Sequence, residues 1–468
     1  VPTFKGLLSG NGKDFREDIM SKMIRKPVSD PGFDKTAERL NSAQIENTIK
    51  WVLEKEAAGR LKAYLETCIH CGLCNEACHF YISYDRDPSY APVAKVRQTL
   101  WDMIQKRGRV DSEAIKRYAR IAFTECNICR RCSMYCPFGI DIGYQMILVR
   151  RICGLLNVVP QYLQDQSNSH MYTYTQSWVA QDDWVDTVQF IEEELRMDIK
   201  NARIPLDKEG AEVMYSPHSL EAKFKTNLLA NIAKILSVAR VDWTMPSTDG
   251  WDSTNQAMHA GDHEIMGMAE RKHFDAALKL KVKKIMTSEC GHSFRAAVYD
   301  GSRWLGWQEP PITYVQPTQF FYELIRDGKI KIAKKIPGPV TVQDPCSIVR
   351  NRGLGGMLRS IVRETCEEFR DVNPRLEHNY CCCAGSGVIN YGPPWKFIRM
   401  EGGRAKIEQL KATGAKTVIA PCHSCHKTIE ELIHYYKVDM HVMFISEVLV
   451  ETMEIPEDLK VVKKGSEE

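Results

Sequence analysis

Two matching runs of four cysteines restrict what this chain can fold into more than any other feature of its 468 residues. Cys68, Cys71, Cys74 and Cys78 have the spacing C-x2-C-x2-C-x3-C. Cys126, Cys129, Cys132 and Cys136 repeat it, and Pro137 completes the second run. In this pattern a tight loop presents three thiolates to one [4Fe–4S] cubane, while the fourth cysteine crosses to the other cluster. Cys68, Cys71, Cys74 and Cys136 are therefore expected on one cubane, and Cys126, Cys129, Cys132 and Cys78 on the second. That exchange makes two segments separated by 47 residues fold against each other. Zinc is the competing metal, but zinc sites rarely need four cysteines within eleven residues. His79 stands where proline usually follows the run, a change that touches no ligand.

The chain holds 17 cysteines, thirteen of them at cluster-ligand spacings, and thiolate ligands must stay reduced. A disulfide framework of the secreted kind is short and evenly stapled, unlike this one. Lys plus Arg minus Asp plus Glu is 63 − 60, or +3, with no basic stripe, which argues against a nucleic-acid partner. No leader or long apolar run is visible, so a reduced, cytoplasmic chain without a membrane span is expected.

The expected architecture is a multidomain α+β/α/β chain. Residues 1–60 read as a helical extension with a turn from Pro27 to Gly32, and residues 61–155 as a bacterial-ferredoxin-like two-cluster domain. Within the latter, Gly143 to Leu156 has an apolar-basic pattern. It fits a core-facing helix with Arg150 and Arg151 in solvent, or else a docking surface for a membrane subunit. Residues 156–207 read as a helical connector. Beyond it strands alternate with helices: Glu212 to Tyr215, Lys284 to Thr287, Val340 to Gln343 and Thr417 to Ala420, with helices such as Met357 to Phe369 and Gly403 to Ala412. That alternation implies βαβ units and parallel sheets.

This part contains a degenerate repeat. The segment from Val213 to Ser219 resembles Val342 to Ser347, setting His218 opposite Cys346. The segment from Thr287 to Phe294 resembles Ile419 to His426, setting Cys290 opposite Cys422 and Ser293 opposite Cys425. Two pseudo-repeated halves follow, residues 208–335 and 336–455, with 456–468 a tail. Only the second half keeps a full cysteine set: Cys346, the triplet Cys381, Cys382 and Cys383, then Cys422 and Cys425. Adjacent cysteines offer no packing advantage over one, so the set points to a single polynuclear metal site. Cys346 and Cys422 each follow a strand, and ligands in doubly wound sheets gather at the carboxyl ends of strands. Cys153 and Cys366 sit on helical patterns and read as core.

The layout resembles the cysteine-rich CCG domain of heterodisulfide reductases, whose Cys…Cys-Cys-Gly…Cys-x-x-Cys motif binds a non-cubane [4Fe–4S] cluster through five cysteines. Carried over, the ligands are Cys346, Cys381, Cys382, Cys422 and Cys425, with Cys383 in place of the motif's Gly. The resemblance covers roughly residues 60–450. It extends to cytoplasmic iron–sulfur subunits of membrane redox complexes in sulfate-reducing and sulfur-oxidising microbes.

The resemblance implies three [4Fe–4S] clusters and an oxidoreductase acting on sulfur groups. A membrane-embedded b-type cytochrome or quinone-interacting subunit, or a complex with a multihaem cytochrome, would exchange electrons with it. A small sulfur-carrier protein with a reactive cysteine would supply a disulfide or trisulfide. The protein would then lie on the inner face of the cytoplasmic membrane. Cys290, His423 and His426 are the candidate catalytic residues, with Lys427 and His218 nearby; Trp251 and His259 to His263 are candidates for a substrate channel. Two alternatives compete: an electron relay of a quinone-linked dehydrogenase, and a zinc-stabilised interaction module.

Overall fold

The computed structural model describes residues 37–392 and 395–461. Residues 1–36, which include the expected turn from Pro27 to Gly32, and residues 462–468 of the expected tail lie outside them. A helical stretch runs from Ser42, capped by Asn41 accepting from the Gln44 amide at 2.7 Å, to Thr67, one residue before Cys68. Its Ile45, Ile49 and Leu61 join the apolar core beneath both cysteine runs.

Two helices frame that core, α1 (Ser112–Thr124) and α2 (Ile142–Leu155). Asp111 and Asp141 cap their N-termini, accepting from the amides of Ala114 and Tyr144 at 2.8 and 3.0 Å. On α1, Ile115, Tyr118, Ala119, Ala122 and Phe123 form one buried face at helical spacing. On α2 the expectation of solvated arginines fails. Arg150 and Arg151 are 1 % and 0 % exposed, so this face is neither open to water nor free to dock. Arg150 donates to the carbonyls of Ala122, Cys126, His259 and Ser386; Arg151 pairs with Glu56 and Glu264. Partners from distant segments replace water around each cation.

Two helices, Gln161–Thr173 and Gln181–Asp198, lead into two four-stranded sheets. The first comprises β1 (Val213–Ser216), β2 (Trp243–Thr244), β3 (Lys284–Thr287) and β4 (Thr313–Val315), in the order β2-β1-β3-β4. The second comprises β5 (Ile336–Val342), β6 (Cys366–Phe369), β7 (Thr417–Ile419) and β8 (His441–Met443), in the order β6-β5-β7-β8. Every pairing is parallel, so the two α/β halves share one topology, as the repeat implied. The strand order reverses between β1 and β3, and again between β5 and β7, which opens a crevice at the carboxyl ends of those strands. His218 and Cys290 follow β1 and β3; Cys346 and Cys422 follow β5 and β7.

One expected helix is divided. The helix α3 (Gly355–Thr365) ends where β6 begins, and Cys366 opens that strand rather than riding on a helix. Pairing with the edge of β5 overrides the local helical pattern, while Cys366 stays buried as core. Trp251, a candidate for a substrate channel, instead stacks on Trp184 at 4.2 Å in the core shared by both sheets. The helices α4 (His423–Tyr435) and α5 (Ile445–Thr452) complete the second half.

Candidate metal centres

Both ferredoxin-like loops use the same backbone device. His70 and Gly72, two and four residues after Cys68, have φ of 58° and 80°. Ile128 and Arg130, two and four residues after Cys126, have φ of 49° and 59°. Left-handed residues at these places curl the chain tightly, and the Ile128 amide points at Cys126 Sγ at 3.5 Å. A β-branched residue resists positive φ, so at Ile128 the loop is held by its surroundings.

Cys68, Cys71, Cys74 and Cys136 line one cavity of ≈ 320 Å³. Burial pushes the Cys74 thiol up to about 11, and the neighbouring sulfurs Cys68, Cys136 and Cys71 add to the rise. Cys136 thus joins the first run. Cys78, Cys126, Cys129 and Cys132 line a second cavity of ≈ 30 Å³. Burial, then Cys129, Cys78 and Cys126, hold the Cys132 thiol well above its ordinary range. Each fourth cysteine therefore lies with the opposite run. Cys78 is the N-cap of the helix His79–Ser83, whereas Cys136 precedes α2 by several residues. The two surroundings differ. Around the first set Ile69, Leu73 and Phe138 are 65 %, 53 % and 46 % exposed. Against the second, the buried Lys95 ammonium reaches Cys78 Sγ at 3.7 Å and the Glu125 carbonyl at 2.5 Å.

The third group gathers at the switch point of the second sheet. Cys346, Cys382, Cys422 and Cys425 line a cavity of ≈ 30 Å³ together with His292 and Arg295. Cys381 lies to one side, between Cys382 and Cys129, and the ligand atoms of Cys381, Cys129 and His79 are all within 4.8 Å of one another. Cys383 has φ of 68°, which explains why glycine suits the family's third position. Its amide donates to Cys381 Sγ at 3.3 Å, while its own sulfur packs against Gly402. The thiol-rich, redox-soft donor sets at all three places fit iron–sulfur clusters.

Close backbone approach holds these centres together. A Cβ on Gly385 would stand 3.0 Å from the Asn127 carbonyl, and one on Gly291 would stand 3.2 Å from Ser347 Cβ. Asn127 also donates to the Gly385 carbonyl at 3.1 Å and lies 2.8 Å from His79 Nε2. The histidine in the proline position therefore ties the first run to the second beside Cys381.

Cys290 is fully buried and next to Cys422, and the Gly291 amide donates to Cys422 Sγ at 3.4 Å. Burial raises the Cys290 thiol well above its ordinary range, whereas the donation from Cys290 chiefly lowers Cys422. His423 Nε2 lies 2.8 Å from Glu221 Oε1, Tyr215 donates to Glu221 Oε2, and the His423 ring is 4.5 Å from His218. His426 stacks on Phe444 at 4.2 Å, and burial lowers it to about 3. His218, Cys290 and His292 form a compact buried trio, but His423 and His426 stand behind the cavity rather than on its wall. His292, Arg295 and Gln256, which do line it, escaped the sequence reading. His292 carried a usable signal, because the repeat places it opposite Ser424.

The chain matches the 4Fe-4S dicluster domain family over residues 64–140 and the CCG cysteine-rich domain family over residues 340–430. It is 23 % identical to an Hdr-like menaquinol oxidoreductase iron-sulfur subunit of Archaeoglobus profundus, over 96 % of this chain and 92 % of that protein. It is 23 % identical to one polypeptide of the dihydromethanophenazine:CoB--CoM heterodisulfide reductase of Methanosarcina mazei, over 83 % of this chain and 94 % of that protein. An EtfAB:quinone oxidoreductase of Syntrophomonas wolfei is 19 % identical over 83 % of this chain and 58 % of its own length. Both cysteine-rich domains in this order, with two of these relatives alike along nearly their whole length, support an Hdr-like iron–sulfur subunit.

Proposed function

We propose that this chain is the cytoplasmic catalytic subunit of a membrane-associated redox complex. It passes electrons through two cubanes to a non-cubane [4Fe–4S] cluster, where a disulfide or trisulfide of a small sulfur-carrier protein is reduced or formed. Cys68, Cys71, Cys74 and Cys136 would hold the first cubane, and Cys78, Cys126, Cys129 and Cys132 the second. Cys346, Cys381, Cys382, Cys422 and Cys425 would hold the third cluster, which supplies a place to hold one sulfur between single-electron steps. The observation that carries this reading is the unbroken file of sulfurs from Cys129 through Cys381, Cys382, Cys425 and Cys422 to Cys290.

The apolar rim around the first set supports its role as the electron port. Ile69, Leu73, Trp101 and Phe138 offer a water-excluding collar to a membrane-embedded cytochrome or quinone-interacting subunit. Among the described residues no helix is long and apolar enough to cross a membrane, so this reading needs such a partner. In this reading Cys290 is the group that gives a proton to a departing thiolate. His423 and His426 support the wall from behind.

Iron and acid-labile sulfide should reach about twelve each per chain, and Cys383→Gly should keep that load while Cys382→Ser loses iron. About eight iron with one zinc would defeat the reading. A quinone-linked relay is the second reading, favoured by the quinone named in two of the relatives. Oxidation with a thiol present separates them: a relay gives no thiol-dependent paramagnetic signal.

The contrast between the cubanes gives a further expected result. Lys95→Met removes a buried cation beside Cys78, so the midpoint of one cubane should fall by on the order of 50 mV. The other should hold still in a redox titration followed by EPR, and Lys95→Arg should restore most of the shift. Two equal shifts, or none, would contradict a local effect.

A further inference from the structure

The cavity of the third cysteine group is also lined by polar side chains of the first half, Gln256, His259, His292 and Arg295. Arg295 is 3 % exposed, and its ion-pair partner among the described residues, Asp300, is met through Nε at 2.8 Å. Arg295 Nη2 has no hydrogen-bond partner among the described residues, and neither do His292 Nε2, His259 Nε2 or Gln256 Oε1. All four side chains are more than nine-tenths buried, and all four line the cavity that Cys346, Cys382, Cys422 and Cys425 also line. Buried polar groups nearly always find partners, so four unpartnered ones around one cavity make it a place able to hold a polar occupant. Cluster sulfide can satisfy those groups that reach it; the Arg295 Nη2 donor lacks an acceptor, and an anion is the strongest acceptor a guanidinium N–H can take. Arg150 adds to the positive field, because it lies close enough to repel Arg295 and bonds only to carbonyl oxygens.

The repeat shows why these residues stand there. The first half has His218 where the second has Cys346, and Ser293 where it has Cys425. With its ligand set dissolved, the same crevice is left lined by donors instead of thiolates.

We propose that Arg295, His259, His292 and Gln256 form a subsite for the sulfur anion released when the substrate disulfide is cut. This inference rests on the functional reading above and says where the second product goes. A disulfide that takes up two electrons breaks its S–S bond and gives two thiolates. One stays on the side of Cys422, and the other is received by Arg295 with the two imidazoles. The thiolate takes a proton from water as it leaves, and Gln256 Oε1 accepts a hydrogen bond from the thiol so formed. The same site would bind the incoming thiolate when the reaction runs toward the disulfide.

The test uses the anaerobically purified, ferricyanide-oxidised holoprotein and 2-mercaptoethanol as the probe thiol. Binding is followed by calorimetry and, separately, by the thiol-dependent EPR signal. Arg295→Met should retain the wild-type iron content and raise the half-saturating thiol concentration at least tenfold in both readouts. Arg295→Lys should recover most of the loss, and His292→Gln should weaken binding by a smaller factor. If Arg295→Met loses iron, Arg295→Lys and His292→Gln decide by the same two readouts. Unchanged half-saturation with full iron overturns the subsite. Arg295-dependent heat without any EPR signal would keep the subsite and overturn the cluster reading instead.

Discussion

Arg359→Met should lower the free energy of unfolding by about 3–5 kcal/mol, because it strands a carboxylate in the interior. Arg359 holds Asp344 through two bonds of 2.8 and 3.0 Å, and Asp371 through two more of 2.9 and 2.7 Å. Asp344 is fully buried and also accepts from the Leu376 amide at 2.8 Å. Pro345 and Cys346 follow it directly, so this network fixes the turn that aims Cys346 at its cavity. Removing the cation leaves Asp344 with one amide donor, and the site must rearrange or admit water. Anaerobic urea unfolding of the holoprotein, with reversibility checked, would measure the loss. Asp344→Asn with Arg359→Met should recover part of it, because the stranded charge is gone. A loss below about 1 kcal/mol would mean that Asp344 already reaches water. Asp371 supplies a pH signature. Burial raises its pKa, but the bonds and charge of Arg359 outweigh this and hold it below the usual 3.8. Its stabilisation is therefore complete above the unfolded value and disappears as pH falls through the folded one.

The parts of this molecule that repeat were legible in the sequence. Lys284 to Thr287 is the strand expected there, and the offsets that paired Cys290 with Cys422 mark the carboxyl ends of β3 and β7. Such features are local: a ligand spacing, an apolar run of four, a glycine at a required turn. The failures lie where the deciding partner is far along the chain. Periodicity sent Arg150 and Arg151 to the surface, because arginine on a helix is normally solvated. Their actual partners lie 24 or more residues away, and several of them beyond a hundred, which no short window of sequence can show. The strand β6 was hidden for the same reason, since the edge of β5 and not the local pattern recruits Cys366 to Phe369. Within the site, cysteines announced themselves by spacing. Of the polar side chains that line the same cavity, His259 stood among the sequence candidates, whereas His292, Arg295 and Gln256 belong to no motif and only the folded crevice collects them.

On the proposed function, the two halves would divide the work, one holding the cluster and the other giving the substrate its space. A cluster surrounded on all sides by its own ligands would have no room for a substrate. Keeping one ligand set and opening the other leaves a cavity with sulfur on one wall and polar donors on the other. The cost appears as buried polar groups in the first half, and it should be measurable through one of them.

Glu270→Gln is expected to make the protein more stable at pH 8 and to change little at pH 5. Glu270 is 3 % exposed; its Oε1 accepts from Asn255 at 2.8 Å, and Oε2 has no hydrogen-bond partner among the described residues. Burial pushes its carboxyl up to about 8 from the ordinary 4.5, with smaller contributions from Asp252 and Asp300. A carboxyl raised in the folded state binds its proton more tightly there than in the unfolded chain. Its contribution is complete below about pH 4.5 and is lost as pH rises toward the folded value. Between pH 5 and pH 8 the loss amounts to about 3 kcal/mol at most. Glutamine keeps the bond to Asn255 and carries no charge to bury, so the variant escapes that loss. Urea midpoints of the two proteins, compared from pH 5 to pH 8.5, should coincide at the acid end and diverge in favour of Glu270→Gln at the alkaline end. Parallel curves would show that Glu270 is already ionised, with its charge met by groups around it.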